Sequence, residues 1–222
     1  MINIEFTPEK DGIVAGEENT FEVLLRASSD LMRPSKSSKK LPLNLALVID
    51  RSGSMQGRPL EEAKKCAAML DDRMSDVDQL SVVTYDDSVD VIVPMAKVMN
   101  KNLLKNTINS IRQGGMTALY DGWSVGAEQV AEFADNNNLS RVLLLSDGQV
   151  NRGLTDEVTI SSHCGTMAEN GVTTSTYGLG SRFNENLMTA MATAGQGQSH
   201  YGQTADDLMD PFSEEFDLME AI

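Results

Sequence analysis

Asp50, Ser52 and Ser54 occupy alternate positions of one short segment, Asp50-Arg51-Ser52-Gly53-Ser54, directly after the apolar run Leu43 to Ile49. A carboxylate and two hydroxyls on a turn at the end of a buried strand outline a site for a hard cation. Oxygen donors of mixed charge suit Mg²⁺, Mn²⁺ or Ca²⁺ rather than a soft metal, and neutral hydroxyls leave such an ion much of its positive charge. An ion held in this way attracts a further anion.

Two more segments carry compatible donors. Gly114-Gly115-Met116-Thr117 sets a hydroxyl on a glycine loop, where backbone can approach closely, and the apolar run Val142 to Leu145 leads into Ser146-Asp147-Gly148. Each residue taken alone has a plainer role, because Asp caps turns and Ser satisfies local backbone donors. Five such residues in this order, with both carboxylates at the ends of apolar runs, point to metal binding instead.

These residues resemble the von Willebrand factor A domain and its metal-ion-dependent adhesion site, whose pattern is Asp-x-Ser-x-Ser, then Thr, then Asp. Asp50, Ser52, Ser54, Thr117 and Asp147 fill all five positions. The likeness is to the bacterial and inter-alpha-inhibitor-like branch. It is carried by Leu43 to Gly57, Gly114 to Leu119, Leu144 to Gly153 and Gly171 to Gly180, within roughly residues 42 to 216. Met116 stands before Thr117 where these domains often carry Gly or a small residue, and its bulk narrows access to the metal. The resemblance implies that Ser52, Ser54 and Thr117 hold the ion directly, with Asp50 and Asp147 acting partly through water. It also implies an open position for the Asp or Glu of a partner protein.

Composition narrows the partners. With 18 basic and 33 acidic residues the chain carries a net charge of −15, so nucleic acid meets repulsion instead of counterion-releasing contacts. Cys66 and Cys164 lie far apart in dissimilar contexts and read as reduced, buried thiols. No run reaches the length of a membrane span, and the start, Met1-Ile2-Asn3-Ile4-Glu5, lacks a signal-peptide pattern. The sequence as it stands reads as cytoplasmic, or as secreted or cell-surface if a leader has been removed.

The elements that must position the site alternate between strand and helix. Leu43 to Asp50 precedes a stripe of Leu60, Ala63, Ala67, Leu70 and Met74 at helical spacing, begun by Pro59. Leu80 to Tyr85 and Val89 to Val93, joined by Asp86-Asp87-Ser88, predict a hairpin and therefore one antiparallel edge strand. Helices follow over Lys101 to Ile111, Leu119 to Asp135 and Glu157 to Asn170, the last closed by Gly171. Strands follow over Arg141 to Ser146, Val172 to Tyr177 and Ser199 to Gly202. The order predicts an α/β, Rossmann-like fold: an open, mostly parallel six-stranded sheet with one antiparallel edge strand and helices on both faces. Ligands of such sheets collect beyond the strands' carboxyl ends, where Asp50 and Asp147 fall.

Residues 1–41 break the alternation. Ile2 to Phe6 and Thr20 to Arg26 predict two strands, and Arg33 to Lys40 a polar basic linker. In similar proteins such strands belong to a β-rich companion domain, so the chain reads as an N-terminal β segment (1–41), an A domain (42–216) and a short extension (217–222) of a longer protein. Gly178-Leu179-Gly180 predicts a turn rather than a phosphate loop, and Asp86 and Asp87 a hairpin turn rather than a second cation site. His163 and His200 stand apart from other metal-ligand types, and Met69, Met74, Met188 and Met191 sit at core-filling positions. Two function classes remain. The favoured one is a non-enzymatic, cation-dependent protein-binding module. The other, a metal-dependent hydrolase or phosphotransferase, needs a nucleophile or base beside the ion, and no His, Cys or Lys is placed near the motif.

Overall fold

The computed structural model describes residues 2–8, 23–29, 41–135, 137–180 and 184–220. The chain divides into two compact units, Met1–Lys39 and Lys40–Ile222. In the first, strands β1 (Ile2–Pro8) and β2 (Val23–Ser29) pair antiparallel, with Phe6 opposite Leu25. The second strand thus extends three residues beyond the expected Thr20 to Arg26. Residues 20–22 and the expected basic linker, 33–40, lie outside the described residues.

The second unit runs β3 (Leu43–Asp50), α1 (Arg58–Arg73), β4 (Gln79–Tyr85), β5 (Val89–Lys97), α2 (Lys101–Ser110), α3 (Leu119–Ala131) and β6 (Leu139–Ser146). It continues with α4 (Glu157–Glu169), β7 (Val172–Leu179), α5 (Glu185–Ala194), β8 (Gln196–Gly202) and α6 (Ala205–Glu220). Six strands form one sheet in the order β5-β4-β3-β6-β7-β8. Only β5 is antiparallel to its neighbour. The α/β sheet with one antiparallel edge, expected from the alternation of strand and helix, is therefore the architecture observed.

Alternation along each strand feeds two cores. Leu43, Leu45, Leu47 and Ile49 of β3 join residues of α1, α2 and α6 on one face. Ala46 and Val48 join residues of α3, α4 and α5 on the other. Because β3 is covered on both faces, every one of its residues is buried, and its sequence reads as a continuous apolar run. Met74, Met188 and Met191 fill these cores as expected, whereas Met69 is only partly buried.

Helix boundaries follow local chemistry. Pro59 lies in the first turn of α1, and the side chains of Asn100 and Asp156 accept the Leu103 and Thr159 amides at 3.0 and 2.8 Å. Gly171 ends α4 at φ 85°, a left-handed conformation that glycine adopts without a steric penalty. Helix α5 had no strong sequence signature, being short and weakly patterned; the Asn184 side chain caps it through Leu187. Helix α6 continues without a break past residue 216, and Met219 packs into the core.

Chain order creates a switch point. From β3 the sheet grows one way through β4 and the other way through β6, so the connections leaving the adjacent strands β3 and β6 pass to α1 and α4 on opposite faces and open a crevice at their carboxyl ends. Gly126 shows how closely α3 must approach to close the sheet below it: an added Cβ would lie 2.3 Å from Val48 Cγ2. Helix propensity alone predicts that Gly126→Ala stabilises by about 1 kcal/mol. Val48 is β-branched and locked in the central strand, so overpacking wins, and we expect a loss of about 1–3 kcal/mol in urea unfolding.

Candidate metal centre

Asp50 is the last residue of β3. Its backbone is in register with Tyr85 of β4, and the preceding Ile49 with Leu145 of β6. This register delivers two hydroxyls to its carboxylate: Oδ2 accepts Ser146 Oγ at 2.6 Å and Tyr85 OH at 3.2 Å. Oδ1 accepts the Ser52 amide at 2.8 Å. All three donors are neutral, the side chain is fully buried, and no ion pair among the described residues includes Asp50. Burial pushes the carboxyl up from 3.8 to about 6, against the lowering effect of the Ser146 and Ser52 bonds, and the nearby Asp147 charge pushes the same way as burial.

The chain next makes a single 3₁₀ turn, Gly53–Met55, anchored by the buried Met55 side chain. Ser52 is buried and Ser54 exposed, and their Oγ atoms lie 3.1 Å apart. Two hydroxyls thus sit side by side between the buried carboxylate and solvent.

The Thr117 loop is tied to this turn through backbone. Gly114 N donates to Arg51 O at 2.7 Å, Gly53 N to Gly115 O at 2.8 Å, and Ala118 N to Asp86 O at 2.8 Å. A Cβ at Gly114 would fall 1.6 Å from Asp86 Oδ2, so the approach requires glycine. Thr117 is held on both sides of its peptide by one residue. Its N–H donates to Asn151 Oδ1 at 2.8 Å, and its carbonyl accepts Asn151 N at 3.3 Å and Arg152 N at 3.2 Å. Asp147 follows β6, is nearly buried, and accepts the Gln149 amide at 3.1 Å.

The segments bearing all five sequence-derived candidates therefore meet at one end of the sheet. Three supporting residues did not emerge from sequence. Ser146 and Asn151 flank Asp147 in one segment and were within reach of the pattern, whereas Tyr85 arrives only through strand register. Asp86 forms the expected turn, accepting Ser88 N at 2.8 Å, and it also pairs with Arg51 at 3.3 Å. Other reactive types are engaged elsewhere. His163 bonds Tyr120 at 2.9 Å, His200 lies 3.9 Å from Glu215, and burial pushes the thiols of Cys66 and Cys164 up to about 12. Among the described residues no group of three or more His, Cys, Asp or Glu is placed to hold a metal. The candidate set here is of a different kind, with hydroxyls outnumbering carboxylates.

The sequence profile of the von Willebrand factor type A domain matches residues 44–214. The chain belongs to this family. An uncharacterized Synechocystis protein, sll0103, is 32% identical over 82% of this chain and 42% of its own length. Human inter-alpha-trypsin inhibitor heavy chain H3 is 26% identical over 71% of this chain and 18% of its own. This von Willebrand factor A chain thus spans less than half the length of these relatives. Among solved structures, proximal thread matrix protein 1 from the mussel byssus superposes with a TM-score of 0.67 at 20% identity, covering 81% of this chain and 48% of that one.

The raised Asp50 carboxyl has a consequence for the metal-free domain. Its folded value of about 6 lies above the unfolded 3.8, so the stability associated with it is present below pH 4 and lost as pH rises through 6, by about 3 kcal/mol. In chelator, Asp50→Asn should match wild type near pH 4 and exceed it by roughly 1–3 kcal/mol above pH 7. Denaturant melts across that range check the sign.

Proposed function

We propose that this domain is a divalent-cation-dependent protein-binding module whose metal is held by Asp50, Ser52, Ser54, Thr117 and Asp147 and meets a carboxylate from a partner protein. The observation that carries the reading is the Asp50 carboxylate, fully buried among neutral donors beside two adjacent hydroxyls. A group whose charge burial opposes is compensated when a cation shares its environment. Mg²⁺ or Mn²⁺ suits donors that are all hard oxygens.

The family supports the same reading. Domains of this type commonly mediate metal-dependent protein interactions and are generally adhesion or interaction modules rather than enzymes. The mussel byssus protein is described with zinc occupying its corresponding motif.

The roles of the chain's own residues follow from their settings. Ser146 and Tyr85 orient Asp50 and remain hydrogen-bond donors, since burial and the Asp50 charge push the Tyr85 phenol well up. Asn151 fixes the peptide of Thr117, so that hydroxyl is presented from a constrained backbone. Exposed Ser54 and half-exposed Met116 border the route by which a partner would reach the crevice. A bound divalent ion would supply a concentrated positive charge able to accept an external carboxylate oxygen. Because only two of the five ligands carry formal charge, affinity for the ion should be micromolar or weaker.

A hydrolytic reading has less support. His163, His200, Cys66 and Cys164 are each committed to surroundings other than this crevice.

Titration calorimetry with Mg²⁺ and Mn²⁺ tests the assignment. Wild type should bind one ion and gain about 1.4 kcal/mol of stability at ten times the dissociation constant. Asp50→Ala should abolish both effects while the sheet stays folded, and unchanged affinity in that variant would refute the site. For an identified partner, chelator should abolish binding, raised salt should weaken it little, and Thr117→Ala should reduce partner affinity more than ion affinity. Binding that survives chelation removes the ion from the mechanism.

A further inference from the structure

A second feature lies along the opposite end of the sheet. Helix α2 and the last residues of β5 enclose a groove of about 370 Å³, lined chiefly by Ile92, Val98, Met99, Leu103 and Leu104. Its register position is set by Leu80 opposite Ala96 and Gln79 opposite Lys97, at the amino end of β4 and so far along the strand from Tyr85 and Asp50. Met99 is 87% and Leu103 62% exposed, a cost that an uncovered surface does not recover.

Charge identifies the occupant. Acidic residues number 33 in the 222-residue chain, yet Val91 to Tyr120 contains none, while it carries Lys97, Lys101, Lys105 and Arg112. The sole charged residue lining the groove is Lys97. At physiological salt, fields fade within about 8 Å, so Lys97 and the carboxylate-free segment around it, and not the net charge of −15, govern what approaches closely.

Backbone addition to the edge strand is disfavoured at this point. Pro94 has no N–H to offer, the β4–β5 register slips there, and Met95 N is already bonded to Gln129 Oε1 at 3.1 Å. Contact must be made through side chains, as when an amphipathic helix lays its apolar stripe in a groove.

We infer that the β5–α2 groove is a docking surface for an acidic amphipathic helix of a protein partner, separate from the metal crevice. Apolar side chains of the helix enter between Met99 and Leu103, and its carboxylates meet Lys97 at the rim.

Three fluorescent peptides test this, with the same leucines at helical spacing and Glu, Gln or Lys at the remaining positions, followed by anisotropy against the whole chain in chelator. The Glu peptide should bind at least about tenfold more tightly than the others and weaken as salt is raised. Lys97→Glu should reduce its affinity about tenfold, and Met99→Ser or Leu103→Ser should reduce it comparably, because both side chains are exposed and their loss leaves the core intact. Val158→Ser, at an exposed position on α4, should change nothing. Equal binding of the three peptides, or insensitivity to Met99→Ser and Leu103→Ser, overturns the inference. So does a Glu peptide that binds only when Mg²⁺ is restored, which would place it at the metal crevice. Vesicles of phosphatidylserine in phosphatidylcholine form the last arm: groove-dependent binding to them without binding of the Glu peptide would assign the surface to a membrane instead.

Discussion

The burial of one carboxylate at the sheet's switch point organises this domain. Asp50 ends the central strand, and every route by which its charge is accommodated recruits a different element: Tyr85 from β4, Ser146 from β6 and the Ser52 amide from its own turn. Burial outweighs these uncharged donors, so the carboxylate retains an elevated proton affinity. A site in this condition is under-compensated by its surroundings rather than by the absence of neighbours, and that is the physical basis for the cation binding proposed above.

The remainder of the fold makes such burial affordable. Strand β3 is covered on both faces, by α1 with α2 and α6 on one side and by α3 with α4 and α5 on the other. Two continuous cores of this kind hold the central strands rigidly, whereas the loops at their carboxyl ends are joined by hydrogen bonds between backbone groups. The Gly114 approach to Asp86 and the double contact between Asn151 and Thr117 turn three loops into one constrained surface. Rigid elements below and a cross-braced rim above are what a preorganised ligand set needs.

Electrostatics divides the molecule further. A strongly acidic chain still contains a stretch from Val91, within β5, through α2 without a single carboxylate, and that stretch carries the exposed Met99 and Leu103 side chains. Screening over distances beyond about 8 Å leaves each region governed by its own nearby charges. The crevice at the candidate metal centre and the edge groove therefore differ in local character, the one lined by carboxylates and hydroxyls, the other by apolar side chains and Lys97.

Much of this was legible in the linear sequence. The periods of the apolar residues, 2 or continuous for strands and 3.6 for helices, gave the sheet, its antiparallel edge and most helix positions, because they are imposed by local geometry. The spacing Asp50, Ser52, Ser54 and the segments of Thr117 and Asp147 were readable for a related reason: turn chemistry and strand ends are local properties. Helix α5 was not readable, since ten residues with a weak apolar stripe are held by packing more than by pattern. Nor was the partnership of Tyr85 and Ser146 with Asp50, or the seating of Asn151 against Thr117. Those contacts join residues 34–96 positions apart, and only strand order and register, settled when both faces of the sheet were buried together, decided which hydroxyls would meet the buried charge.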